Sequence, residues 1–471
     1  EDGIRDLVRS RGLGDVYKRQ NNLTTGTRLF HRFSMRSKLS ADFFAVKEQR
    51  DGGDKQDYPI HERNIAEALR HNLKVAALTY EQFLRKYDLF SLYASGQFLD
   101  RDSYYGANQS LSSYGNSKDN TYNFGAHYKA IFENSSLITG LENTGGFLTD
   151  RKLGYPDYGN AVIVNDSIVE VPHTKNITIT EQSSSTLGIF TQYELKLNKT
   201  KIAIGGRYDH YAIKNFVENE TRIKSGNIFS PRVSIMYEIV EELQARLSYA
   251  KGYRAPQIFD EDLDIKTSGA RQVINVNDPD LKQENSHSVM ASMDFNRQSG
   301  TVYTGFLLEG FYTRLKNPFV IEIGVPDENG TVIYTRKNSK DGAAVFGLNI
   351  EFKIKPLKVF SMTSGFTMQQ SKYDVAQEFD EDRFFRTPDQ YGYFSLDWDF
   401  FNNISVSATG NYTGSMLIPY FGTKTNPEVG ELHKSEKFFD LGLKLKYTLK
   451  LNGLQLQFFG GIKNTFLSLI H

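Results

Sequence analysis

The sequence predicts an all-β chain that folds as an antiparallel transmembrane β-barrel of about eighteen strands. Apolar and polar residues alternate with a period of two over most of the chain, as expected for strands with one face in lipid. Short and long connections between these segments also alternate. No run of 18 apolar residues occurs, so no helix is expected to span a bilayer.

The alternation is clearest near the end of the chain. Between residues 439 and 451, apolar residues such as Leu443 and Leu445 alternate with Lys444 and Lys446. Because successive side chains of a strand point to opposite faces, one face is apolar and the other charged. Segments of this kind predict strands at about residues 28–36, 40–48, 72–85, 88–102, 119–131, 135–150, 184–196, 200–212, 228–239, 242–254, 285–296, 301–315, 343–355, 358–373, 388–400, 403–415, 437–449 and 453–463.

The connections sort into two length classes, which indicates short periplasmic turns and long extracellular loops. Long polar connections occur near residues 49–71, 104–118, 151–183, 213–227, 255–284, 316–342, 374–387 and 416–436. Residues 64–70 have helical spacing and predict a short loop helix. A soluble propeller or tandem sandwich is the alternative class, although its strands are usually shorter, about 5–6 residues.

Composition excludes several functions. The chain has 56 Lys+Arg and 56 Asp+Glu, so a nucleic-acid partner is not expected. Cysteine is absent, which excludes disulfides, thiolate metal sites and a cysteine nucleophile. The sequence lacks G-x-S-x-G, P-loop and H-E-x-x-H motifs, so we expect neither an enzyme nor a bound cofactor.

The first 20 residues stand apart from this pattern. They have neither the apolar core of a signal peptide nor strand alternation. They resemble adapter-derived sequence in translated metagenomic assemblies, and we expect residues 1–20 to be a non-native leader. A genuine basic linker is the alternative.

One strand leads into an unusual stretch, YAKGYRAPQIFDEDLDI. Its residues Gly252, Tyr253, Arg254, Ala255 and Pro256 precede four carboxylates, those of Asp260, Glu261, Asp262 and Asp264. Proline cannot donate to a β ladder, so regular pairing should weaken there and a loop should begin. The carboxylates lack EF-hand spacing, which favours a solvated acidic loop or ion pairs with luminal arginine over a metal site.

This stretch resembles the GFRAP segment of TonB-dependent outer-membrane receptors, which are energised transporters for siderophores, cobalamin, haem and some glycans. A second segment, DPDLKQENS, is similar to that family's N-P-x-L-K-P-E-x-S segment and supplies Leu281 and Glu284, with Gln283 where proline is usual. Weaker matches lie at residues 309–317, 385–388 and 461–466, the last containing Asn464. The resemblance covers nearly all of the chain after Leu29.

The resemblance implies a 22-stranded barrel in the bacterial outer membrane and a plug domain that binds TonB. The last predicted strand follows a short turn and runs outward, which fits the penultimate strand of such a barrel. Residues 21–471 are therefore expected to be part of the barrel, without the plug, the TonB-binding segment, the first three strands and the last strand.

The function that the resemblance implies is active uptake of a scarce nutrient such as a ferric siderophore, cobalamin or haem. The implied partners are the TonB complex through the plug, a small-molecule ligand such as a metal chelate, and outer-membrane lipid. A passive porin is the runner-up, and a soluble glycan-binding β protein is a third reading.

Aromatic residues in the predicted loops are candidates for ligand binding, because their rings can stack on planar ligands or sugars. An interfacial girdle is the alternative role for these tyrosines. Arg254 joins the candidates as a cation at a strand end. A polar group at Arg207, Asp209, His210 and Tyr211 is expected to form a surface or luminal network. The ligand-binding candidates are Tyr104, Tyr105, Tyr155, Tyr158 and Arg254.

Overall fold

The computed structural model describes residues 17–53, 55–107, 109–165, 167–217, 220–257, 273–325, 332–420, 431–452 and 454–463. These residues are almost entirely β-strand. The described helical elements are single 3-10 turns at Ile60–Glu62, Tyr158–Asn160 and Glu378–Asp380. None of the described helices has the length and apolarity that a transmembrane helix requires.

The described strands are, in chain order, β1 (Tyr17–Ser34), β2 (Ser37–Gly53), β3 (Ile65–Phe83), β4 (Leu89–Ala107), β5 (Tyr114–Ile131), β6 (Ser135–Leu153), β7 (Val162–Val164), β8 (Ser167–Glu170), β9 (Asn176–Leu197), β10 (Thr200–Val217), β11 (Glu220–Val240), β12 (Leu243–Arg254), β13 (Val273–Asn277), β14 (Glu284–Ser299), β15 (Val302–Lys316), β16 (Phe319–Ile323), β17 (Val332–Asn338), β18 (Ala343–Leu357), β19 (Phe360–Tyr373), β20 (Gln390–Phe401), β21 (Ile404–Thr413), β22 (Leu417–Tyr420), β23 (Glu431–Lys434), β24 (Phe438–Leu451) and β25 (Leu454–Ile462).

Eighteen of these strands form one antiparallel sheet, which confirms the predicted fold class. Each strand pairs with the next one along the chain, in the order β1-β2-β3-β4-β5-β6-β9-β10-β11-β12-β14-β15-β18-β19-β20-β21-β24-β25. The other strands form three small sheets within four long connections: β7 with β8, β22 with β23, and β13–β17–β16, which joins the connection after β12 to the one after β15. The large sheet is the wall of the barrel.

The connections lie on two rims. Short turns such as residues 35–36 and 198–199 alternate with long connections such as 154–175. Asn198 in a short turn and Gly300 in another have positive φ angles of 48° and 62°, which tight turns require and which glycine and asparagine tolerate best. The long strands, up to 22 residues in β9, exceed the ~9–11 needed to cross a bilayer and carry the wall beyond it.

The two faces of the wall differ in chemistry. On β10, Ile204 and Tyr208 are exposed on one face, whereas Arg207 and Asp209 lie on the other. Leu445 is 54% exposed on β24. Large apolar side chains exposed in this alternating way form the lipid-facing surface of an outer-membrane barrel.

The predicted helix at residues 64–70 is wrong. Strand β3 begins at Ile65, and Ala66 pairs both with Gly53 of β2 and with Gly106 of β4. Ladder bonds on two sides outweigh the weak local preference for helix. Strand β1 includes residues 17–20, the last four residues of the segment expected to be a leader, and whether that segment is native stays a prediction.

Candidate functional site

The end of β12 leaves the wall at the GYRAP stretch. Pairing of β12 with β11 ends at Ala250, whereas its pairing with β14 continues to Arg254. Strand β11 continues toward the extracellular rim in contact with β10 instead. The wall therefore separates between β11 and β12, and the strand ends two residues before Pro256, as the sequence predicted.

The separated strand end packs on the inner face of the wall. The rings of Tyr253 and Tyr211 are stacked with centroids 6.3 Å apart. Tyr211, Ile213 and Ile228 form a buried apolar cluster, against which Tyr253 and Ala255 pack. Since Tyr211 shares its strand face with the inward-facing Asp209, the motif folds toward the lumen.

The second family segment is anchored beside this cluster. Leu281 is buried, and the Lys224 ammonium donates hydrogen bonds to the backbone carbonyls of Asp278 (2.9 Å) and Leu281 (3.1 Å). The Tyr211 hydroxyl donates to Gln283 Oε1 at 2.9 Å. The glutamine that stands where proline is usual thus supplies an acceptor that proline lacks.

A platform of loop residues covers the same part of the rim. The Arg254 and Arg336 guanidiniums lie 5.9 Å and 5.7 Å from the centre of the Phe319 ring, within the range of cation–π attraction. The Phe319 amide donates to Glu284 Oε2 at 2.9 Å, and Arg336 donates to the carbonyl of Gln257 at 3.1 Å. Arg254 is therefore held in a defined position while remaining exposed.

Deeper in the lumen lies a polar cluster. Arg207 Nη1 is 3.1 Å from Glu142, and Arg207 Nε donates to Asp209 at 2.7 Å. The Tyr93 hydroxyl also donates to Glu142, at 2.7 Å. This confirms a luminal network at Arg207 and Asp209. His210 lies on the opposite face of β10 and contacts Asn227, so it is not part of that network.

The tyrosine candidates fall on both faces of the wall. Tyr104 lies in β4, not in a loop, and pairs in register with Tyr114 of β5. Their rings are 4.8 Å apart. Tyr104 has the same parity along β4 as the exposed Phe98, so it faces outward, whereas Tyr105 is on the inward face.

Loop residues close around this outward pair. The ring of His61 is 4.9 Å from Tyr155, and Tyr155 is 6.4 Å from Tyr158. His173 reaches Tyr114 at 5.6 Å. His61, His173 and Tyr158, with the strand residues Tyr104 and Tyr114, border a cavity of about 460 Å³. Sequence reasoning found the tyrosines of this group, Tyr114 included, but missed both histidines. Tyr104 lies six residues after Phe98, and continuing the in-and-out alternation of β4 past Phe98 would have placed Tyr104 on the outer face.

Other predicted residues lie outside the described residues. These are Asn464 and the carboxylates at Asp260, Glu261, Asp262 and Asp264. Among the residues that the structure does describe, no group of three or more His, Cys, Asp or Glu side chains is arranged to hold a metal ion.

The alternating wall, the two rims and the inward-folded loops define a transmembrane β-barrel of the bacterial outer membrane. Residues 4–464 match the family described as "TonB dependent receptor-like, beta-barrel", and the chain belongs to that family. Its location is the bacterial outer membrane. No curated protein matches the sequence.

Solved structures of outer-membrane receptors share the fold. The ferric-catecholate import receptor Fiu from E. coli K12 has 13% identity and a TM-score of 0.66, with 92% of this chain and 68% of Fiu covered. The ferripyoverdine receptor of Pseudomonas aeruginosa has 12% identity and a TM-score of 0.67, with 92% and 59% covered. The copper transporter OprC has 10% identity and a TM-score of 0.66, with 96% and 67% covered. The chain thus spans about three fifths to two thirds of the lengths of these structures.

Proposed function

We propose that this chain is the barrel part of an energised receptor that imports a scarce small molecule, with an anionic metal chelate such as a ferric siderophore as the first candidate and cobalamin or haem as further ones. Membership of the family supports receptor function. The observation that carries the proposal is the inward fold of β12, which places an exposed cation, Arg254, on a rigid platform beside the lumen.

The chemistry of the rim supports an anionic ligand. Arginine presents a planar fork of donors and binds carboxylate or catecholate oxygens more tightly than a neutral group does. Arg254 is fixed by the Phe319 ring instead of swinging freely, which lowers the entropy lost on binding. Among the similar structures are an import receptor for ferric catecholate, a receptor for ferripyoverdine and a copper transporter.

The domain organisation remains part of the proposal. We propose that residues 21–471 form a barrel that further strands close, and that a plug with a TonB-binding segment belongs to the same protein. In the described residues, β1 pairs only with β2 and β25 only with β24. This chain covers 68% and 59% of the length of two similar structures, which supports a longer protein. TonB would then displace the plug at the expense of the proton motive force.

The family match and the named structures give the passive porin no support. They also name receptors and transporters, not enzymes. An energised receptor and a porin differ in one measurable property, because only the receptor needs TonB to move its ligand inward.

The proposal is tested by recovering the complete gene from its source DNA and expressing it in a host that lacks its own siderophore receptors. Uptake of ⁵⁵Fe-labelled catecholate, hydroxamate and citrate chelates is compared in strains with and without TonB. We expect an upstream plug and uptake of one chelate class that stops without TonB. Uptake that is equal in both strains would contradict the proposal and favour a passive channel.

The role of Arg254 is tested in the same assay with Arg254→Gln. Loss of a charge-assisted hydrogen bond of about 1.5–3 kcal/mol should raise the half-saturating chelate concentration about tenfold or more. Arg297→Gln is the matched control, because Arg297 is an exposed arginine on the periplasmic side. Equal values for the two variants would remove Arg254 from the binding site.

A further inference from the structure

The cavity beside Tyr104 opens on the outside of the wall. Two cross-strand rows form its floor. Gln49, Arg70 and Asp102 are in register on β2, β3 and β4. Tyr104, Tyr114 and Leu153 are in register on β4, β5 and β6. These six side chains border the cavity, which we call the outer-wall pocket.

Register shows that this floor continues the lipid-facing surface. Phe98 of β4 is 54% exposed and pairs in register with Asn120, which in turn pairs with the exposed Phe147 of β6. Asp102 and Tyr104 lie four and six residues further along β4 with the same parity. No register shift interrupts the pairing of β4 with either neighbour. The floor therefore faces away from the lumen.

The height of the pocket follows from strand geometry. Six residues at about 3.3 Å each carry Tyr104 about 20 Å along the strand from Phe98. With strands tilted by ~35–45°, this distance corresponds to about 15 Å above the apolar belt. That height lies above the acyl chains, at the level of the headgroups of the outer leaflet.

A basic band separates the apolar belt from the pocket. Lys74 is in register with Phe98, and Lys118 lies one row higher, 3.7 Å from Asp100. Lys47 shares that higher row through its pairing with Asn72. With Arg70 above them, these cations outnumber Asp100 and Asp102 on β4, while Asp51 of β2 and Glu181 of β9 also lie on this face. Cations at headgroup height favour phosphate groups.

The roof of the pocket is held in place by its own contacts. Arg63 is buried, donates to Asp51 at 2.6 Å and also donates to the carbonyl of Tyr58 at 3.0 Å. His61 Nδ1 lies 3.0 Å from the Tyr114 hydroxyl. Tyr58 and Tyr158 border the cavity and are more than half exposed. The loops thus present two accessible rings above a polar floor.

We propose that the outer-wall pocket binds the phosphorylated saccharide headgroup of an outer-leaflet glycolipid. A tyrosine ring has flat apolar faces and a polar hydroxyl at one edge, so it can stack on the apolar face of a sugar ring while its hydroxyl stays in water. The amide of Gln49, the carboxylate of Asp102 and the guanidinium of Arg70 offer donors and acceptors for hydroxyls and phosphate. The vertical order of apolar belt, basic band and aromatic pocket matches the order of acyl chain, phosphate and sugar.

The test measures binding of rough lipopolysaccharide to the detergent-purified protein by native mass spectrometry. The variant carries Tyr58→Ala and Tyr158→Ala together, and Tyr87→Ala is the control. Tyr87 is similarly exposed but lies in the periplasmic turn between β3 and β4. We expect the double variant to bind lipopolysaccharide at least about tenfold more weakly, a change of about 1.4 kcal/mol, and the control to bind like the parent chain.

Two further measurements are made. The first identifies the source of the sugar, and the second excludes misfolding as the reason for weaker binding. Core oligosaccharide released by mild acid should compete with lipopolysaccharide for the parent chain. Tyr58→Phe with Tyr158→Phe keeps both rings and should restore binding.

If the oligosaccharide binds but lipopolysaccharide does not, the membrane source is wrong. If the Ala variant binds lipopolysaccharide as tightly as the parent chain, the whole proposal is overturned. We expect TonB-dependent uptake to be the same in the parent chain and both variants, because the proposed uptake site at Arg254 lies on the luminal side of the wall.

Discussion

The inner and outer faces of the same wall use similar residues for different purposes. On the inner face, Tyr93 and Arg207 are paired with Glu142 in a polar cluster. On the outer face, Phe98 is exposed to lipid, and Tyr104 further along packs into an aromatic pocket. A tyrosine or an arginine is therefore no guide to location by residue type. Whether a residue occupies an odd or an even position along its strand decides whether its side chain faces the lipid or the lumen.

The largest expected effect comes from placing a charge on the lipid-facing side. Leu445→Lys should destabilise the barrel by about 2–4 kcal/mol near the bilayer midplane, because the ammonium loses its water. Lys446→Leu, one residue away on the inner face, should change stability little. Urea-unfolding curves of the refolded receptor in lipid vesicles measure both. Equal losses would break the assignment of the two faces.

A smaller effect is expected from opening the luminal cluster. Arg207→Gln leaves the buried Asp209 carboxylate without its cation, and we expect a loss of about 2 kcal/mol, below the range for fully buried pairs because Arg207 is partly exposed. Arg28→Gln removes an arginine that pairs with Asp42 at an exposed position and should leave the unfolding midpoint almost unchanged. The same urea titration compares them, and a stable Arg207→Gln protein would show that the cluster is solvated.

The anchoring of the rim can be tested more locally. Tyr211→Phe removes the hydrogen bond to Gln283 while keeping the ring on Tyr253, and should cost about 1 kcal/mol. Hydrogen exchange of the amides near Leu281 should then become about fivefold faster, with the strands of the wall unaffected. Unchanged exchange at Leu281 would mean that the apolar cluster alone holds the segment.

The smallest effect concerns pH and one extracellular loop. Hydrogen bonds from Arg383 hold the pKa of Glu381 at about 2, whereas a free glutamate titrates near ~4.3. Because the folded-state pKa is lowered, the contact contributes fully above about pH 5 and is lost as the pH falls toward 2. Exchange of loop amides, corrected for intrinsic rates, should rise across that window. Glu381→Gln should abolish this pH dependence, and an unchanged dependence in that variant would refute the assignment.

The fold was predictable because period-two alternation is a local signal. All eighteen segments proposed from the sequence are strands of the wall. Their outer ends were predicted too short: β9 begins at Asn176, eight residues before the predicted start, since polar residues above the membrane continue the ladder without an apolar face. The helix expected at residues 64–70 failed for a related reason, because pairing with distant strands decided its conformation.

The candidate sites were less predictable because they depend on contacts between distant loops. The platform joins Arg254 to Phe319 and Arg336, which are far apart in sequence. The outer-wall pocket brings His61 and His173 to Tyr114 across three connections. The sequence singled out Tyr104, Tyr155 and Tyr158 by residue type, but only the register of the strands showed that Tyr104 faces outward.

Neighbouring residues of one strand face lipid and lumen in turn, and a pair of residues on β4 tests this arrangement most directly. The chain has no cysteine, so Gln97→Cys and Phe98→Cys can each carry a single fluorophore without background. In vesicles that contain spin-labelled lipid, the fluorophore at residue 98 should be strongly quenched and the one at residue 97 should not. Equal quenching, or the reverse order, would contradict the assignment on which both proposed sites rest.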